Sequence, residues 1–278
     1  MSVVRAGFVG LGNIGKPMAL RLAAADGIDL VVYDVAADPV AEVTAAGAKA
    51  ATSVADLAGE ADVVCVMVRD DDQVREVAAD LDPGTVLVIH STVSPETPAE
   101  LEARGLTVLD APVSGGPMGA ADGSLAIMVG GPADALGTAR PVLEAMGSKV
   151  VHAGPLGAGT RMKLARNLLH FVAFTAATEA QRLAEAAGLD LRALGDVVRH
   201  TDAITGGPGA IMHRETTAVL DPGDFWFGVF EHVRALGEKD LRFALGLAED
   251  LGVDVPLTRL ARDRLGPGLG LPTDDGAI

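Results

Sequence analysis

Over its first 150 residues the chain alternates between two textures. Short apolar runs rich in valine and isoleucine occur at Val3–Val9, Leu30–Tyr33, Val63–Val68, Val86–Ile89 and Thr107–Leu109. Between them lie alanine-, leucine- and glutamate-rich stretches with helical spacing, at about 14–25, 36–46, 70–80 and 94–103. Continuous apolar runs of this length fit strands buried on both faces. Their alternation with helices predicts a parallel sheet covered on both sides, an α/β fold. Ser94-Pro95 offers an N-cap residue and a first-turn proline for the last of these helices.

The texture changes after about residue 155. Gly159 to Ala187 is rich in alanine and leucine, lacks proline, and has glycine only at its first position. Length and composition predict one long helix, closed by Gly188. Its largely apolar sequence predicts a buried helix. Further helices are expected around 190–199, 208–220 and 229–251, with no strand. The reading is therefore a first domain at 1–158 and an all-helical domain at 159–278. The Gly-, Pro- and Asp-rich tail from Gly266 is expected to be partly mobile.

Charge narrows the partners. Lys and Arg number 22 against 38 Asp and Glu, a net charge of -16, which disfavours nucleic acid and anionic lipid. The single cysteine, Cys65, sits in an apolar run and reads as a small core residue rather than a nucleophile. One cysteine allows no internal disulfide, no apolar run is long enough to span a bilayer, and the N-terminus does not read as a signal peptide. The expected location is the cytoplasm. No metal site is expected.

Gly10-Leu11-Gly12-Asn13-Ile14-Gly15 follows an apolar strand and opens a helix. In that setting the first glycine permits a tight turn, the second lets backbone approach a pyrophosphate, and the third lets helix and strand pack closely. The helix N-terminus then faces phosphate with unpaired N–H groups. The first domain is thus read as a Rossmann-type dinucleotide-binding domain. Asp34 ends the second strand, 24 residues after Gly10. A carboxylate there accepts from ribose hydroxyls and repels a 2′-phosphate, and no Arg or Lys lies between Val35 and Glu42. The expected cofactor is NAD. Val68, at the end of its apolar run, is counted with the cofactor-binding residues.

Three further groups carry possible chemistry. Ser91-Thr92-Val93 follows a strand, where ligands border a parallel sheet. It could equally be a loop leading to a helix cap. Asp110-Ala111-Pro112-Val113-Ser114-Gly115-Gly116 ends in a turn that offers a hydroxyl and successive N–H groups to a carboxylate. A hinge is the alternative. Lys163 and Asn167 lie four apart on the long helix, with Cβ atoms about 5–6 Å apart, so both can donate to one substrate oxygen. A lysine in so apolar a helix needs a reason.

Together these segments resemble the 3-hydroxyisobutyrate dehydrogenase family, the β-hydroxyacid dehydrogenases. The resemblance covers essentially the whole chain. It runs through Phe8 to Met18, Asp110 to Gly116 with Ala120, Gly123 and Met128-Val129-Gly130-Gly131, then Gly157 to Asn167 and Lys239-Asp240-Leu241. It implies reversible oxidation of a small 3-hydroxy acid to its semialdehyde, with hydride passing to the nicotinamide. Lys163 would be the catalytic acid/base, with Asn167 orienting substrate. Ser114, Gly115 and Gly116 would hold the substrate carboxylate. Thr92 and Lys239 would lie at the nicotinamide end, with Asp240 supporting Lys239 and counted with the substrate residues. Relatives form homodimers or homotetramers through the helical domain.

Arg166, the polar stretch Glu231–Glu238 and the aromatic run Phe225-Trp226-Phe227 with Phe230 depart from the family pattern. The aromatic run is read first as packing and second as a wall that sets substrate size. Rival readings are an NADPH-dependent imine reductase, a tartronate semialdehyde reductase, a 6-phosphogluconate dehydrogenase and a non-catalytic nucleotide-binding module. The retained Lys163 argues against the first and the last.

Overall fold

The computed structural model describes residues 3–272. The chain divides into two compact units, Met1–Arg166 and Asn167–Ile278, so the division falls inside the long helix rather than at its start. The first unit runs β1 (Val4–Val9), α1 (Gly15–Ala23), β2 (Ile28–Tyr33), α2 (Ala37–Ala45), β3 (Lys49–Ala50), α3 (Val54–Glu60), β4 (Val63–Val66) and α4 (Asp71–Ala79). It continues with β5 (Val86–Ile89), α5 (Thr97–Glu102), β6 (Thr107–Asp110), β7 (Val113–Ser114), α6 (Gly116–Asp122), β8 (Ala126–Gly130), α7 (Ala133–Met146) and β9 (Lys149–Gly154).

Among the described residues these strands form one sheet in the order β3-β2-β1-β4-β5-β6-β8-β7, with β9 paired to β8. From β3 to β6 all pairs are parallel, as expected. The expectation of a wholly parallel sheet is corrected at β8, which runs antiparallel to both β6 and β7. Residues 111–125 return directly instead of crossing over, and an antiparallel pair needs no crossover.

Side chains alternate between the two faces of the sheet. Val63 and Cys65 enter one core cluster with Phe8, Met18 and Leu143, while Val64 and Val66 enter the other with Leu57, Leu87 and Ile89. This is why the strands read as unbroken apolar runs. Cys65 is fully buried, and burial pushes its thiol up to about 12, so it is a core residue with no nucleophilic character at neutral pH. The helix expected from residue 94 begins at Thr97 with Glu96 as its cap, and Pro98 occupies the first turn. Ser94 does not cap it, because its hydroxyl is bonded to the Glu96 carboxylate.

α8 (Ala158–Ala186) begins in the first unit and continues into the second. The second unit adds α9 (Leu191–Thr205), α10 (Phe225–Asp250) and α11 (Pro256–Gly268). The helix expected over 208–220 is absent. Only a 3₁₀ turn at Gly207–Gly209 forms there, because Gly206-Gly207-Pro208-Gly209 cannot sustain an α-helix. The mobile-tail expectation also fails as far as residue 272. Gly266 lies in α11, and Leu269 and Leu271 are 3% exposed against Leu220 and Phe230. Residues 273–278 of that tail lie outside the described residues. Trp226 and Phe227 pack on the same cluster, which supports packing for most of the aromatic run, whereas Phe225 is exposed.

The burial expected of α8 is corrected. Met162, Leu164, Leu168, Phe171, Val172 and Phe174 are all exposed in the single chain. An apolar sequence shows that a helix wants cover, but not whether its own chain supplies it. Glu179 is an internal exception. It is 4% exposed, and its carboxylate accepts from Leu257 N (2.8 Å), Thr258 N (2.9 Å) and Thr258 Oγ1 (2.7 Å), so it caps α11. Among the described residues no helix is long and apolar enough to cross a membrane.

Candidate active site

The sheet order reverses between β1 and β4, and ligands of such sheets lie beyond the carboxyl ends of the strands at that point. A cavity of about 790 Å³ opens there. Its walls include Gly10, Gly12, Asn13, Ile14, Gly15, Asp34 and Val68. Leu11 does not line it. Its side chain is 3% exposed in the core, and only its backbone N–H serves the loop.

The three glycines divide the work as the spacing predicts. Gly10 has φ +94°, and a Cβ there would strike the Met67 carbonyl. A Cβ on Gly15 would strike the Gly10 carbonyl, so the start of α1 must press on the loop. A Cβ on Gly12 would meet nothing within 4 Å, so the backbone there faces open space where a pyrophosphate can approach. No side chain caps α1 and no acid stands in its first turn, so the positive end of the helix dipole is left open to an anion. The residues present therefore fit a dinucleotide.

Asp34 holds this loop in place. Its carboxylate accepts from Leu11 N at 2.6 Å and from Ala36 N at 2.8 Å, joining the glycine loop to the end of β2. Glu76 and Asp80 of α4 and its C-terminal end add two more carboxylates to the cavity wall. Sequence reading missed both, since two acids on a helix look like a solvated face. Ser91 also proves structural. Its hydroxyl donates to Val68 O at 2.7 Å and accepts from Val68 N at 2.9 Å, latching the ends of β4 and β5 together. Thr92, next to it, is exposed and does not line the cavity.

The second cluster surrounds the first turn of α8. Lys163 is 9% exposed, and its Nζ donates to Val113 O at 2.7 Å. Burial, and secondarily the Arg166 guanidinium, hold this amine below the ordinary lysine range. Val113 is followed by Ser114, half-buried on β7, and by Gly115 and Gly116 with φ +136° and +63°. Those glycines lead into α6, whose N-terminus carries no side-chain cap. Thus the first unit brings Lys163 onto the segment that carries Ser114, Gly115 and Gly116.

Asn167 lies half-buried one turn further along α8, in the second unit. Lys239 and Asp240 also belong to that unit. They sit on α10 as an ion pair, Lys239 Nζ to Asp240 Oδ1, 3.2 Å. His90, which sequence reading passed over, is 1% exposed beyond β5. Its Nδ1–H donates to Ala111 O at 2.9 Å, and its ring stacks near Phe8. A histidine closing an otherwise apolar strand was the available signal.

Comparison with known proteins agrees with this geometry. Residues 5–154 match the family described as the NAD binding domain of 6-phosphogluconate dehydrogenase. Residues 157–266 match that described as NAD-binding of NADP-dependent 3-hydroxyisobutyrate dehydrogenase. A fold and cradle of this kind define an oxidoreductase that uses a nicotinamide dinucleotide. The chain belongs to the β-hydroxyacid dehydrogenases, the 3-hydroxyisobutyrate dehydrogenase family. An uncharacterised oxidoreductase of Mycobacterium tuberculosis is 50% identical over 98% of this chain and 95% of its own length. The NAD-dependent L-serine dehydrogenase of Pseudomonas aeruginosa is 40% identical, covering 88% and 82%. The structure of Mycobacterium tuberculosis 3-hydroxyisobutyrate dehydrogenase with L-serine is 34% identical, has a TM-score of 0.65 and covers 95% and 93%.

Proposed function

We propose that this protein is an NAD-dependent dehydrogenase of a small 3-hydroxy acid, with Lys163 as the catalytic acid/base. One observation carries the reading. The dinucleotide-cradling unit also carries a buried lysine amine bonded to Val113 O, immediately before Ser114-Gly115-Gly116. A hydroxyl at Lys163 and a carboxylate at the Ser-Gly-Gly turn describe a short hydroxy acid.

A dinucleotide held by the glycine loop, Asp34 and Val68 would supply the hydride acceptor for oxidation and the donor for reduction. The chain's own residues supply the rest. Lys163 takes the hydroxyl proton as the carbinol becomes a carbonyl and gives it back in the reverse direction. Its depressed pKa raises the neutral fraction needed for that step. Asn167, one turn along, donates to the reacting oxygen. Ser114 Oγ and the N–H groups of Gly115 and Gly116 hold the carboxylate. The family resemblance assigns Thr92 and Lys239, which is braced by Asp240, to the nicotinamide end. Asp34, with Glu76 and Asp80 outnumbering Arg69 (itself paired with Asp70) on the same wall, favours NAD by opposing the charge of a 2′-phosphate.

The test is a steady-state panel of 3-hydroxyisobutyrate, 3-hydroxypropionate, 4-hydroxybutyrate, glycerate and L-serine, each with NAD and with NADP. L-serine belongs in the panel because a 40% identical relative acts on it. The expected result is turnover of at least one 3-hydroxy acid with kcat/KM higher for NAD. Binding of NADH without turnover of any acid, or a preference for NADP, would overturn the corresponding half of the reading.

We also propose that the helical unit assembles with a second copy of the chain. Phe171, Phe174 and Phe243, among many other apolar side chains, are more than half exposed on it. Patches of this kind mark interaction surfaces. Sedimentation analysis is expected to give a dimer or tetramer. A monomer at micromolar concentration would refute the assembly.

A further inference from the structure

Asp110 ends β6 and is completely buried, yet nothing in the proposed reaction uses it. Its two carboxylate oxygens are both engaged by the chain at the start of α8. Oδ1 accepts from Gly157 N at 2.7 Å, and Oδ2 accepts from Thr160 N at 2.6 Å. These N–H groups are among those that a helix start leaves without a partner, and an anion there also meets the positive end of the helix dipole. The carboxylate therefore caps α8 across a gap of about 50 residues in sequence.

The approach is close enough to exclude side chains. A Cβ on Gly130 would collide with Asp110 Oδ1 and lie 2.7 Å from Gly159 N. A Cβ on Gly159 would collide with the carbonyls of Met128 and Asp110. Two glycines thus let the first turn of α8 press against β6 and β8. Three residues beyond Thr160 stands Lys163, whose amine returns to Val113, three residues beyond Asp110. The segment 110–113 therefore grips the helix twice, once at its capped end and once at the lysine.

We propose that Asp110 is a positioning residue for Lys163: by anchoring the first turn of α8 through both carboxylate oxygens, it holds the amine at Val113 O, beside the Ser114-Gly115-Gly116 turn. The inference rests on the acid/base reading of Lys163. Without the anchor, Gly157 N and Thr160 N lose a charged acceptor, the first turn loosens, and the amine moves toward water. Arg166, one turn along, is the charged group that acts on the amine, and it stays in place in the variants below.

The test measures the amine directly. The chain has five lysines, so 13Cε-lysine NMR gives few signals, and Lys163→Ala assigns the one of interest. In Asp110→Asn, the Lys163 titration is expected to move up toward the ordinary lysine value. kcat is expected to fall about 10²-fold, the scale reported for small misplacements, while the KM for the dinucleotide stays within about twofold. Asp110→Ser, whose hydroxyl can accept from one of the two donors without a charge or added bulk, is the second variant and decides the matter if Asp110→Asn does not fold. An unmoved Lys163 titration in a folded variant would overturn the inference and leave Asp110 a structural cap alone. Undiminished turnover in Lys163→Ala would instead overturn the acid/base reading, whatever the NMR shows.

Discussion

Replacing Lys163 with alanine is expected to cut turnover by roughly 10²–10⁴-fold, the usual worth of a positioned proton-transfer group. Dinucleotide affinity should not change, because Lys163 does not line the cofactor cavity. The amine lost is the one bonded to Val113 O, so the variant also leaves that carbonyl without its donor. The cost to folding is about 1–3 kcal/mol, small enough to leave the protein native. The pH dependence follows from the direction of the lysine shift. Burial first, then Arg166, lowers the pKa, so the neutral amine needed to accept a proton appears below the ordinary lysine value of 10.5. Oxidation should therefore rise with pH and level off before that value, and reduction should show the opposite trend. Lys163→Arg keeps the charge but cannot release a proton, so it should be as inactive as alanine. Steady-state kinetics paired with calorimetric titration of NAD checks all three. Retained turnover in the alanine variant would remove Lys163 from the reaction.

The second large effect concerns acid stability. His90 is buried and neutral, and burial lowers its pKa from 6.5 to about 4, only partly offset by its bond to the Ala111 carbonyl. The native state thus binds fewer protons at this site than the unfolded chain does. For a histidine with a depressed folded pKa, stability is complete above about 6.5 and is lost as pH falls from there toward 4. A shift of this size corresponds to about 3 kcal/mol by the conversion of 1.36 kcal/mol per pKa unit. Denaturant titrations at pH 7, 6, 5 and 4.5 should show that decline. His90→Asn can still donate to Ala111 O, so it should be less stable at pH 7 because the ring is gone, but much flatter with pH. An equally steep decline in His90→Asn would assign the acid sensitivity to other groups.

Much of this molecule is legible in its sequence because burial on two faces leaves a plain mark. Val63 to Val66 and Val86 to Ile89 have no polar face to show, and they read as central strands for that reason. The glycine loop is legible because each of its glycines answers a different steric demand. The least legible parts are those whose partners are distant in sequence. Nothing near Asp110 announces that its oxygens will meet Gly157 and Thr160. The only local sign is a charge between Leu109 and Ala111 that needs a partner. β8 is hidden because Ala126–Gly130 is short, ends in glycine and pairs antiparallel with β6, which reads as part of a parallel sheet. The exposure of α8 is illegible because apolar composition cannot distinguish a core helix from an exposed one.

The contact at Gly130 and Gly159 has a practical consequence for redesign. Where two elements meet backbone to backbone, their separation is fixed by van der Waals contact of backbone atoms and not by the size of any side chain. Residues facing the substrate can then be enlarged or trimmed without sliding the amine of Lys163 along the sheet. A library aimed at new hydroxy acids would vary the walls of the pocket freely and keep these two glycines as its fixed points.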